Sequence, residues 1–228
     1  MTNSDLIGQI ETFAIECRVS DVNSFLDKMA QLYEKLVAVN SVTNLTRITS
    51  EEEFYIKHVA DSLAIAKYYR EFSTDNLTIL DIGCGAGFPS LVLASAFENL
   101  TITALDSIEK KIKFVADTAK ILKLNNLTAI AGRGRELNRK DEYRNQFDVI
   151  TGRAVADARK LYRETKAMPK AEGGRFIFYK TPEQLKVDFE QVSKDSAKAN
   201  YQWQTTEIFE LPNGGGARQF LEGFQVKV

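Results

Sequence analysis

Apolar side chains recur at helical spacing through the first 75 residues, which predicts a helical N-terminal region. Asp21 precedes one such run and is a candidate N-cap, because its carboxylate can accept a hydrogen bond from a free N–H group of the first turn. Ser50 and Glu53 form a capping-box pattern that opens another helix, which we expect to run to about Tyr69. The apolar positions of the first run are Phe25, Leu26, Met29, Leu32, Tyr33, Leu36 and Val37.

From residue 77 the pattern changes to short apolar runs that alternate with helical stretches. Such runs are typical of strands buried on both faces, and the alternation predicts right-handed crossovers. We therefore predict an α/β fold with a mostly parallel seven-stranded sheet, helices on both faces, and a helical extension over residues 1–75 ahead of a domain over residues 76–228. The predicted strands span residues 77–82, 101–106, 127–131, 147–151, 175–180, 204–211 and 219–228, and the predicted helices span 88–97, 108–122, 157–168 and a stretch from about 182.

Composition limits the classes of protein that fit this pattern. Apolar residues make up 44% of the 228-residue chain and charged residues 27%, which suits a sizeable core and argues against disorder. No apolar run is long enough to cross a bilayer, and the N-terminus lacks a signal-peptide pattern, so we expect a cytoplasmic protein with no membrane partner. Cys17 and Cys84 fit neither a disulfide framework nor a metal site, and we predict no metal.

Charge is distributed unevenly although the formal net charge is only −1. Residues 133–180 hold 13 Lys and Arg against 7 Asp and Glu, so one segment is distinctly basic. A local basic patch is what contact with nucleic-acid phosphates requires. A solvated surface that happens to be rich in cations explains the charge alone equally well.

A glycine-rich loop follows the first predicted strand, with Gly83, Gly85 and Gly87 directly after Asp81. Alternate glycines let a backbone turn sharply and approach a ligand closely, and ligands of open α/β sheets bind beyond the carboxyl ends of strands. Neither glycine register satisfies the G-x-G-x-x-G fingerprint of dinucleotide enzymes. The carboxylate of Asp81 suits a cofactor that has a cationic amino group better than it suits a pyrophosphate.

The second predicted strand ends at Asp106, whose carboxylate can accept hydrogen bonds from both ribose hydroxyls of an adenosine. The alternative is that Asp106 merely caps the next helix at Ile108. The stretch Phe147-Asp148-Val149-Ile150 resembles the fourth strand of class I methyltransferases. Together these features indicate the Rossmann-like fold of a class I methyltransferase with S-adenosyl-L-methionine as its cofactor and S-adenosyl-L-homocysteine as the product.

Motifs outside the glycine loop resemble one family. Over roughly residues 20–227 the chain is similar to the bacterial 16S ribosomal RNA guanine-N7 methyltransferases, RsmG, formerly called glucose-inhibited division protein B. The resemblance implies methylation of N7 of a guanine (guanine-527) in 16S ribosomal RNA, naked or within the small ribosomal subunit, by a monomer. The motifs are Asn44-Leu45-Thr46-Arg47-Ile48, Lys57-His58-Val59-Ala60-Asp61-Ser62-Leu63, Gly87-Phe88-Pro89, Asp106-Ser107 followed by Lys110-Lys111, Gly132-Arg133-Gly134-Arg135-Glu136 and Arg153-Ala154.

The resemblance also implies site residues. Two positions depart from the family pattern: Ser90 replaces the usual glycine, and Arg135 replaces an acidic residue, so a contact at Arg135 survives only if its backbone makes it. His58 has an alternative structural role as a hydrogen-bond partner of Asp61, and bracing of the loop is the alternative for Asn44 and Thr46. The predicted cofactor contacts are Asp81, Gly83, Gly85, Gly87, Phe88, Asp106, Gly134, Arg135 and Arg153, and the predicted substrate contacts are Asn44, Thr46, Arg47, His58, Asp61, Lys180 and Arg218.

The reaction that this resemblance implies needs no general base, because N7 of a neutral guanine carries a free lone pair. We therefore assign no catalytic acid or base, and we expect the protein to act by holding N7 in line with the methyl group. Three other functions stay open at this point: a methyltransferase acting on another RNA, a protein or a small molecule, a nicotinamide oxidoreductase, and a non-catalytic RNA-binding module.

Overall fold

The computed structural model describes residues 3–43, 45–48, 50–154 and 157–226, and within them eight strands form the sheet. The main path runs β3-β2-β1-β4-β5-β8-β6, and β7 pairs with β8. The first five strands of that path are parallel, whereas β8 is antiparallel to β5 and to β6. The strands are β1 (Thr78–Ile82), β2 (Thr101–Asp106), β3 (Leu127–Ala131), β4 (Val149–Arg153), β5 (Arg175–Lys180), β6 (Tyr201–Thr205), β7 (Phe209–Glu210) and β8 (Ala217–Gln225).

This order confirms the predicted mostly parallel α/β sheet and locates its ligand-binding edge. From β1 the chain moves outward to β2 and β3, and it then crosses back to place β4 on the other side of β1. The chain segments that leave the carboxyl ends of β1 and β4 therefore run to opposite sides of the sheet. This point is a topological switch point, where open α/β sheets bind ligands. The glycine loop follows β1, and Arg153 is the last residue of β4.

Helices cover both faces of the sheet, as predicted. Along β1, Ile79 joins the apolar core on one face and Leu80 joins the core on the other, because successive strand residues point in opposite directions. The helices are α1 (Asn3–Glu16), α2 (Val22–Thr43), α3 (Glu51–Glu53), a π-helix (Phe54–Ala60), α4 (Asp61–Tyr68), α5 (Glu71–Thr74), α6 (Ser90–Ala96), α7 (Glu109–Ile121), α8 (Gly134–Leu137), α9 (Ala158–Thr165) and α10 (Pro182–Ser196), with 3₁₀ turns at Asp141–Tyr143, Ala197–Ala199 and Pro212–Gly214.

The N-terminal helices share their core with one sheet face. Phe25 and Met29 of α2 and Leu63 of α4 are buried in the same apolar cluster as Ile79 and Val149 of the sheet. The predicted boundary between residues 75 and 76 stays a prediction. In the described part of the chain no helix has the length and apolar character to span a bilayer.

The predicted strand over residues 204–211 is wrong. The strand that pairs with β8 is β6, which starts at Tyr201, and only the two residues of β7 pair with β8 further along. In this register Trp203 lies opposite Gly223 and its ring covers the glycine, where a Cβ would lie 2.5 Å from the ring. Its indole N–H also donates to Ser196 Oγ at 2.8 Å, so the side chain is buried and fully paired.

The helix predicted from Ser50 to about Tyr69 is present, but its centre is a π-helix. Ser50 Oγ accepts a hydrogen bond from the N–H of Glu53 at 3.3 Å, as the capping pattern predicts. At the other end of the π-helix the N–H of Asp61 donates to the carbonyls of Ile56 and His58. Such wide turns are rare and often occur at functional sites. Here the wide turn presents His58 and Asp61 to the carboxyl edge of the sheet.

The glycine-rich segment near the C-terminus packs against this π-helix. A Cβ on Gly215 would lie 2.3 Å from Ile56 Cγ2 and 2.9 Å from Leu211 Cβ, so only glycine fits between these two side chains. Asn213 Nδ2 donates to Glu52 Oε1 at 2.7 Å from the same turn. The turn after β7 therefore packs directly against the π-helix and the helical turn before it.

We expect Gly215→Ala to lower the free energy of unfolding by about 1–3 kcal/mol, because the added methyl overpacks the contact with Ile56. The matched control is Gly8→Ala in the exposed face of α1, where nothing lies within 4 Å of a new Cβ. That change should stabilise the protein by about 0.5–1 kcal/mol. Urea denaturation of both variants measures the difference, and equal effects would contradict the close approach.

Candidate active site

The glycine loop is shaped by contacts with β2. The N–H groups of Gly83 and Cys84 both donate to the carbonyl of Leu105, at 2.7 and 3.0 Å. Gly87 has a φ of 91°, and a Cβ there would lie 2.4 Å from Leu91 Cδ1. Glycine is therefore required at this position for both conformation and packing. The loop ends in tight contact with α6, and its outer side faces two cavities.

The first cavity, which we call the β2 cavity, has a volume of about 410 Å³. It lies beyond the carboxyl ends of β1 and β2 and against α9. A Cβ on Gly134 would lie 2.6 Å from Ile82 Cδ1, so the chain passes close to the cavity floor there. The lining residues are Ile82, Gly83, Leu105, Asp106, Ser107, Gly132, Arg133, Gly134, Arg135, Lys160, Leu161 and Glu164.

The second cavity, which we call the π-helix cavity, has a volume of about 420 Å³ and lies between the glycine loop and the π-helix. Gly83 and Asp106 line both cavities, so the two spaces meet at the ends of β1 and β2. The lining residues are Leu45, Thr46, His58, Gly83, Cys84, Gly85, Ala86, Phe88, Asp106, Lys111, Arg153 and Ala154. The site thus has two compartments joined at one carboxylate.

Asp106 both supports the loop and faces the cavities. Its Oδ2 accepts a hydrogen bond from the N–H of Gly85 at 3.0 Å, and its Oδ1 accepts one from the N–H of Ile108 at 2.9 Å. The helix-capping role is therefore present. Each carboxylate oxygen keeps a second lone pair, so the same group can still accept hydrogen bonds from a diol.

Asp81 lies beneath the loop and does not line either cavity. Its Oδ2 accepts hydrogen bonds from the Oγ of Ser90 at 2.5 Å and from the N–H of Ser90 at 3.3 Å. Burial raises the pKa of Asp81 to about 6, and its Oδ1 has no hydrogen-bond partner among the described residues. The hydroxyl of Ser90 anchors the start of α6 to β1. The cofactor contacts predicted for Asp81 and Gly87 stay predictions.

A buried ion cluster connects the π-helix to the sheet, and we call Asp61, Arg153 and Arg218 the Asp61 cluster. Arg153 Nη1 donates to Asp61 Oδ2 at 2.8 Å and to the carbonyl of Lys57 at 2.5 Å. Arg218 Nε donates to Asp61 Oδ1 at 3.0 Å. Two guanidinium groups therefore share one carboxylate that is 4% exposed. The interpretation of His58 as a hydrogen-bond partner of Asp61 is wrong, because its two ring nitrogens face Arg153 and Thr46.

His58 binds Arg153 and Thr46 instead. Arg153 Nη2 lies 2.9 Å from His58 Nδ1, and Thr46 Oγ1 lies 3.3 Å from His58 Nε2. A guanidinium can only donate, so Nδ1 must accept, and the hydrogen-bond network places the ring proton on Nε2. The ring also stacks parallel on Phe88 with the centroids 4.0 Å apart. Burial, and after it the charge of Arg153, lowers the pKa of His58 to about 3.

The structure brings most other predicted site residues to the cavities, but Arg47, Lys180 and Arg218 line neither cavity. Thr46 is half-buried at the π-helix cavity and Arg47 next to it is exposed, whereas Asn44 lies outside the described residues. Lys180 is not in the cleft: its Nζ lies 2.6 Å from Asp188 Oδ2 in a pair with both side chains under 10% exposed. Arg218 is held in the Asp61 cluster and lines neither cavity.

Sequence reasoning missed Lys160, Leu161 and Glu164, which form one wall of the β2 cavity. The three residues share a face of α9, because positions separated by three and four lie together on a helix. That spacing in the sequence could have shown that the three residues share a helix face. It does not show which helix face reaches the cavity. Within the described ranges no group of three or more metal-ligating side chains is arranged to hold a metal ion.

The fold and this site define the class of the protein. A solved S-adenosylmethionine-dependent methyltransferase from Aquifex aeolicus matches the chain with a TM-score of 0.56 at 17% identity, over 79% of this chain and 97% of that one. At such low identity the likeness shows the fold alone. It confirms the predicted Rossmann-like fold of class I methyltransferases.

Sequence similarity identifies the family. The family model described as rRNA small subunit methyltransferase G matches residues 25–212. The ribosomal RNA small subunit methyltransferase G of Leuconostoc mesenteroides is 36% identical over 216 residues, which is 94% of this chain and 87% of that protein. Its counterpart in Limosilactobacillus reuteri is 41% identical over 201 residues, which is 86% of this chain and 81% of that protein. The chain therefore belongs to the rRNA small subunit methyltransferase G family, which confirms the resemblance.

We expect the ring of His58 to stay neutral between pH 7.5 and pH 5, because its pKa is about 3 in the folded protein. His58 is the only histidine in the chain, so ¹⁵N NMR of untagged protein follows this ring without ambiguity. The spectrum should show the Nε2–H tautomer throughout. Protonation near pH 6.5 would contradict the burial and the contact with Arg153.

The same shift makes the stability depend on pH. Between about pH 6.5 and pH 3 the unfolded chain binds a proton at His58 that the folded chain does not, so the free energy of unfolding falls as the pH drops, by about 1.4 kcal/mol per unit. Asp81, with its raised pKa, acts in the opposite direction below about pH 6. The comparison with His58→Gln, measured by urea denaturation at each pH, isolates the histidine. Parallel curves for the two proteins would refute the assignment.

We expect Lys180→Met to lower the free energy of unfolding by about 3 kcal/mol, because it leaves Asp188 buried without its cation. The control is Arg163→Gln, which breaks the pair with Asp195 between α9 and α10, where the arginine side chain is 58% exposed. An exposed pair contributes at most about 1 kcal/mol. A Lys180→Met variant of full stability that binds RNA less tightly would instead support the substrate role predicted from the sequence.

Proposed function

We propose that this protein transfers a methyl group from S-adenosyl-L-methionine to N7 of a guanine in 16S ribosomal RNA. The observation that carries the proposal is the meeting of the two cavities at Gly83 and Asp106, on the switch point of a class I methyltransferase fold. One compartment suits a nucleoside and the other suits the amino-acid end of the cofactor together with a target base. The curated relatives are named for ribosomal RNA of the small subunit.

The residues present fit the cofactor. Asp106 offers carboxylate lone pairs to ribose hydroxyls, and Gly134 brings the backbone to the wall of the β2 cavity. At the loop, Asp81 Oδ1 and Arg153 Nε are both buried and have no hydrogen-bond partner among the described residues. Arg153 lines the π-helix cavity together with Gly83, Gly85 and Phe88, so its unpaired donor suits the carboxylate of the cofactor's amino-acid end. Asp81 lies beneath the loop and lines neither cavity, so its contact with the ammonium group stays a prediction.

When bound, the cofactor supplies a methyl group on a positively charged sulfur. The residues of this chain provide positioning and a suitable electrostatic field. N7 needs no deprotonation, so the site does not require a base, and His58 with its pKa of about 3 is already neutral. The guanine ring gains positive charge during the transfer. The ring of Phe88 does not take up that charge, because it stacks on His58 and already has the guanidinium of Arg153 5.7 Å from its centroid.

Cationic side chains around the β2 cavity support an RNA substrate. Arg133, Arg135 and Lys160 are exposed and line its rim, and all three belong to the basic segment of residues 133–180. Arg47 is exposed beside the π-helix cavity. Phosphates of an RNA whose target base enters the site would meet these cations. The modified base must leave the stack, which is easiest in a single-stranded loop. The monomeric state and cytoplasmic location stay predictions.

The test is transfer of a labelled methyl group to small-subunit RNA from cells that lack this activity. A matched transcript in which 7-deazaguanine replaces guanine has a C–H in place of N7, so we expect label on the first RNA and none on the second. Asp106→Ala should weaken binding of S-adenosylhomocysteine at least tenfold, which corresponds to about 1.4 kcal/mol. Equal labelling of both transcripts would show that N7 is not the acceptor. Label found only on protein or a small molecule would exclude the RNA substrate.

A further inference from the structure

The imidazole of His58 is used on both nitrogens and on one face. Nδ1 accepts from Arg153 Nη2 at 2.9 Å, and Nε2 lies 3.3 Å from Thr46 Oγ1. The ring of Phe88 covers one face at 4.0 Å, and the residue is 6% exposed. No ring nitrogen is therefore left to bind a base or a phosphate, although His58 lines the π-helix cavity.

The two hydrogen-bond partners belong to different parts of the site. Arg153 ends β4 beside the glycine loop, in the part of the site where the proposed cofactor would bind. Thr46 lies in the segment between α2 and α3, on the side of the cavity that the N-terminal helices form. An imidazole ring is rigid, so its two nitrogens impose a fixed separation on the groups that bind them. One side chain thus determines how far the N-terminal segment lies from the sheet edge.

Thr46 is itself held in place on its other sides. Its N–H donates to Asn40 Oδ1 at 2.9 Å, and its carbonyl accepts from Asn40 Nδ2 at 3.0 Å. Thr46 Oγ1 accepts from the N–H of Ile48 at 3.1 Å as well as from His58. Both oxygen lone pairs are then occupied, and the hydroxyl hydrogen is left to donate into the cavity that Thr46 lines. The direction of that donor depends on His58.

We infer that His58 is a positioning residue that holds Arg153 through Nδ1 and Thr46 through Nε2, and that it makes no contact with RNA itself. The inference rests on the proposed function, because it assigns Arg153 to the cofactor side and Thr46 to the side of the target base. It replaces the substrate contact predicted for His58 from the sequence. Alignment of two reactants is the main requirement of a transfer that needs no base, and small displacements are costly to such a transfer.

A pair of substitutions separates the two halves of this role. In His58→Asn the amide oxygen takes the place of Nδ1 and can accept from Arg153, but no atom reaches Thr46. In His58→Gln the longer amide reaches the position of Nε2 and can donate to Thr46, but the acceptor for Arg153 is lost. Both variants lose the stacking on Phe88, so each one is the control for the other.

We expect the two variants to fail in opposite ways. His58→Asn should bind S-adenosylhomocysteine within about threefold of the unchanged protein, while its KM for the unmodified small-subunit RNA rises about tenfold. His58→Gln should bind S-adenosylhomocysteine about tenfold more weakly, with a KM for RNA that changes by less than about threefold once the cofactor is saturating. Tenfold is the order expected for one hydrogen bond to a charged or well-oriented group. Calorimetry gives the first quantity and methyl transfer gives the second.

Thr46→Val provides an independent check on the RNA side. It removes the hydroxyl without changing the size of the side chain, so it should raise the KM for RNA about as much as His58→Asn does. The double variant should be no worse than either single variant, because both remove the same contact. In ¹⁵N NMR of Thr46→Val, the Nε2 signal of the only histidine should move more than the Nδ1 signal.

Three results would overturn the inference. The first is that the Asn and Gln variants weaken cofactor and RNA binding equally, which indicates a general packing role. The second is additive effects of Thr46→Val and His58→Asn. The third is a direct contact between His58 and RNA. It would appear in Thr46→Val as a shift of the His58 NMR signal when RNA binds, together with an affinity for RNA equal to that of the unchanged protein. Failure of the unchanged protein to label RNA would refute the proposed function. The affinities for S-adenosylhomocysteine and the NMR signals would still test the contacts of His58.

Discussion

The carboxylate of Asp61 is the contact on which the geometry of the site depends. It is buried at the start of α4 and binds one arginine from the end of β4 and another from β8. A buried carboxylate is stable only when it is paired, and Arg153 and Arg218 supply that pairing from two strands of the sheet. Removal of either arginine would leave one oxygen of the buried Asp61 carboxylate without its guanidinium donor. The helical N-terminal region is therefore tied to the sheet by charge as well as by its apolar core.

The π-helix makes this connection possible. Its wide turn directs the carbonyl of Lys57, the ring of His58 and the carboxylate of Asp61 toward Arg153, which binds all three. The turn after β7 packs against the helix, and only a glycine fits beside Ile56 there. Arg153 in turn keeps Nε unpaired and buried at the π-helix cavity. A rare helical conformation, which costs regular hydrogen bonding, thus supports an arginine that retains one free donor for a ligand.

The glycine loop and Asp106 form the other half of the site, and they are held by simpler means. Parallel pairing of β1 with β2 brings Gly85 to Asp106, so the loop conformation and the carboxylate position support each other. Ser90 adds a hydroxyl contact to Asp81 that a glycine at this position would lack. The two halves of the site meet at Phe88, which follows the loop and stacks on His58. Under the proposed function, cofactor and target base would therefore lie between the glycine loop with Asp106 on one side and the π-helix with Arg153 on the other.

Several features of this protein could be predicted from the sequence by itself. The alternation of short apolar runs and helical stretches determined the parallel sheet, because buried strands and crossover helices have distinct periods. The loop from Gly83 to Gly87 and Asp106 were found because they depend on local residue types at the ends of adjacent strands. The family followed from short motifs such as Lys57 to Leu63. These signals are all local in the chain.

Only the tertiary structure decided which distant side chains pair. His58 lies three positions from Asp61, yet it binds Arg153, which is 95 positions away. Lys180 ends a strand on the ligand side of the sheet, yet Asp188 of α10 holds it in a buried pair away from both cavities. In the register of β6, Trp203 lies over Gly223, where a side chain would not fit. Sequence patterns report the period and the boundaries of each element, whereas buried charge and close packing select partners according to the space left once all elements are assembled.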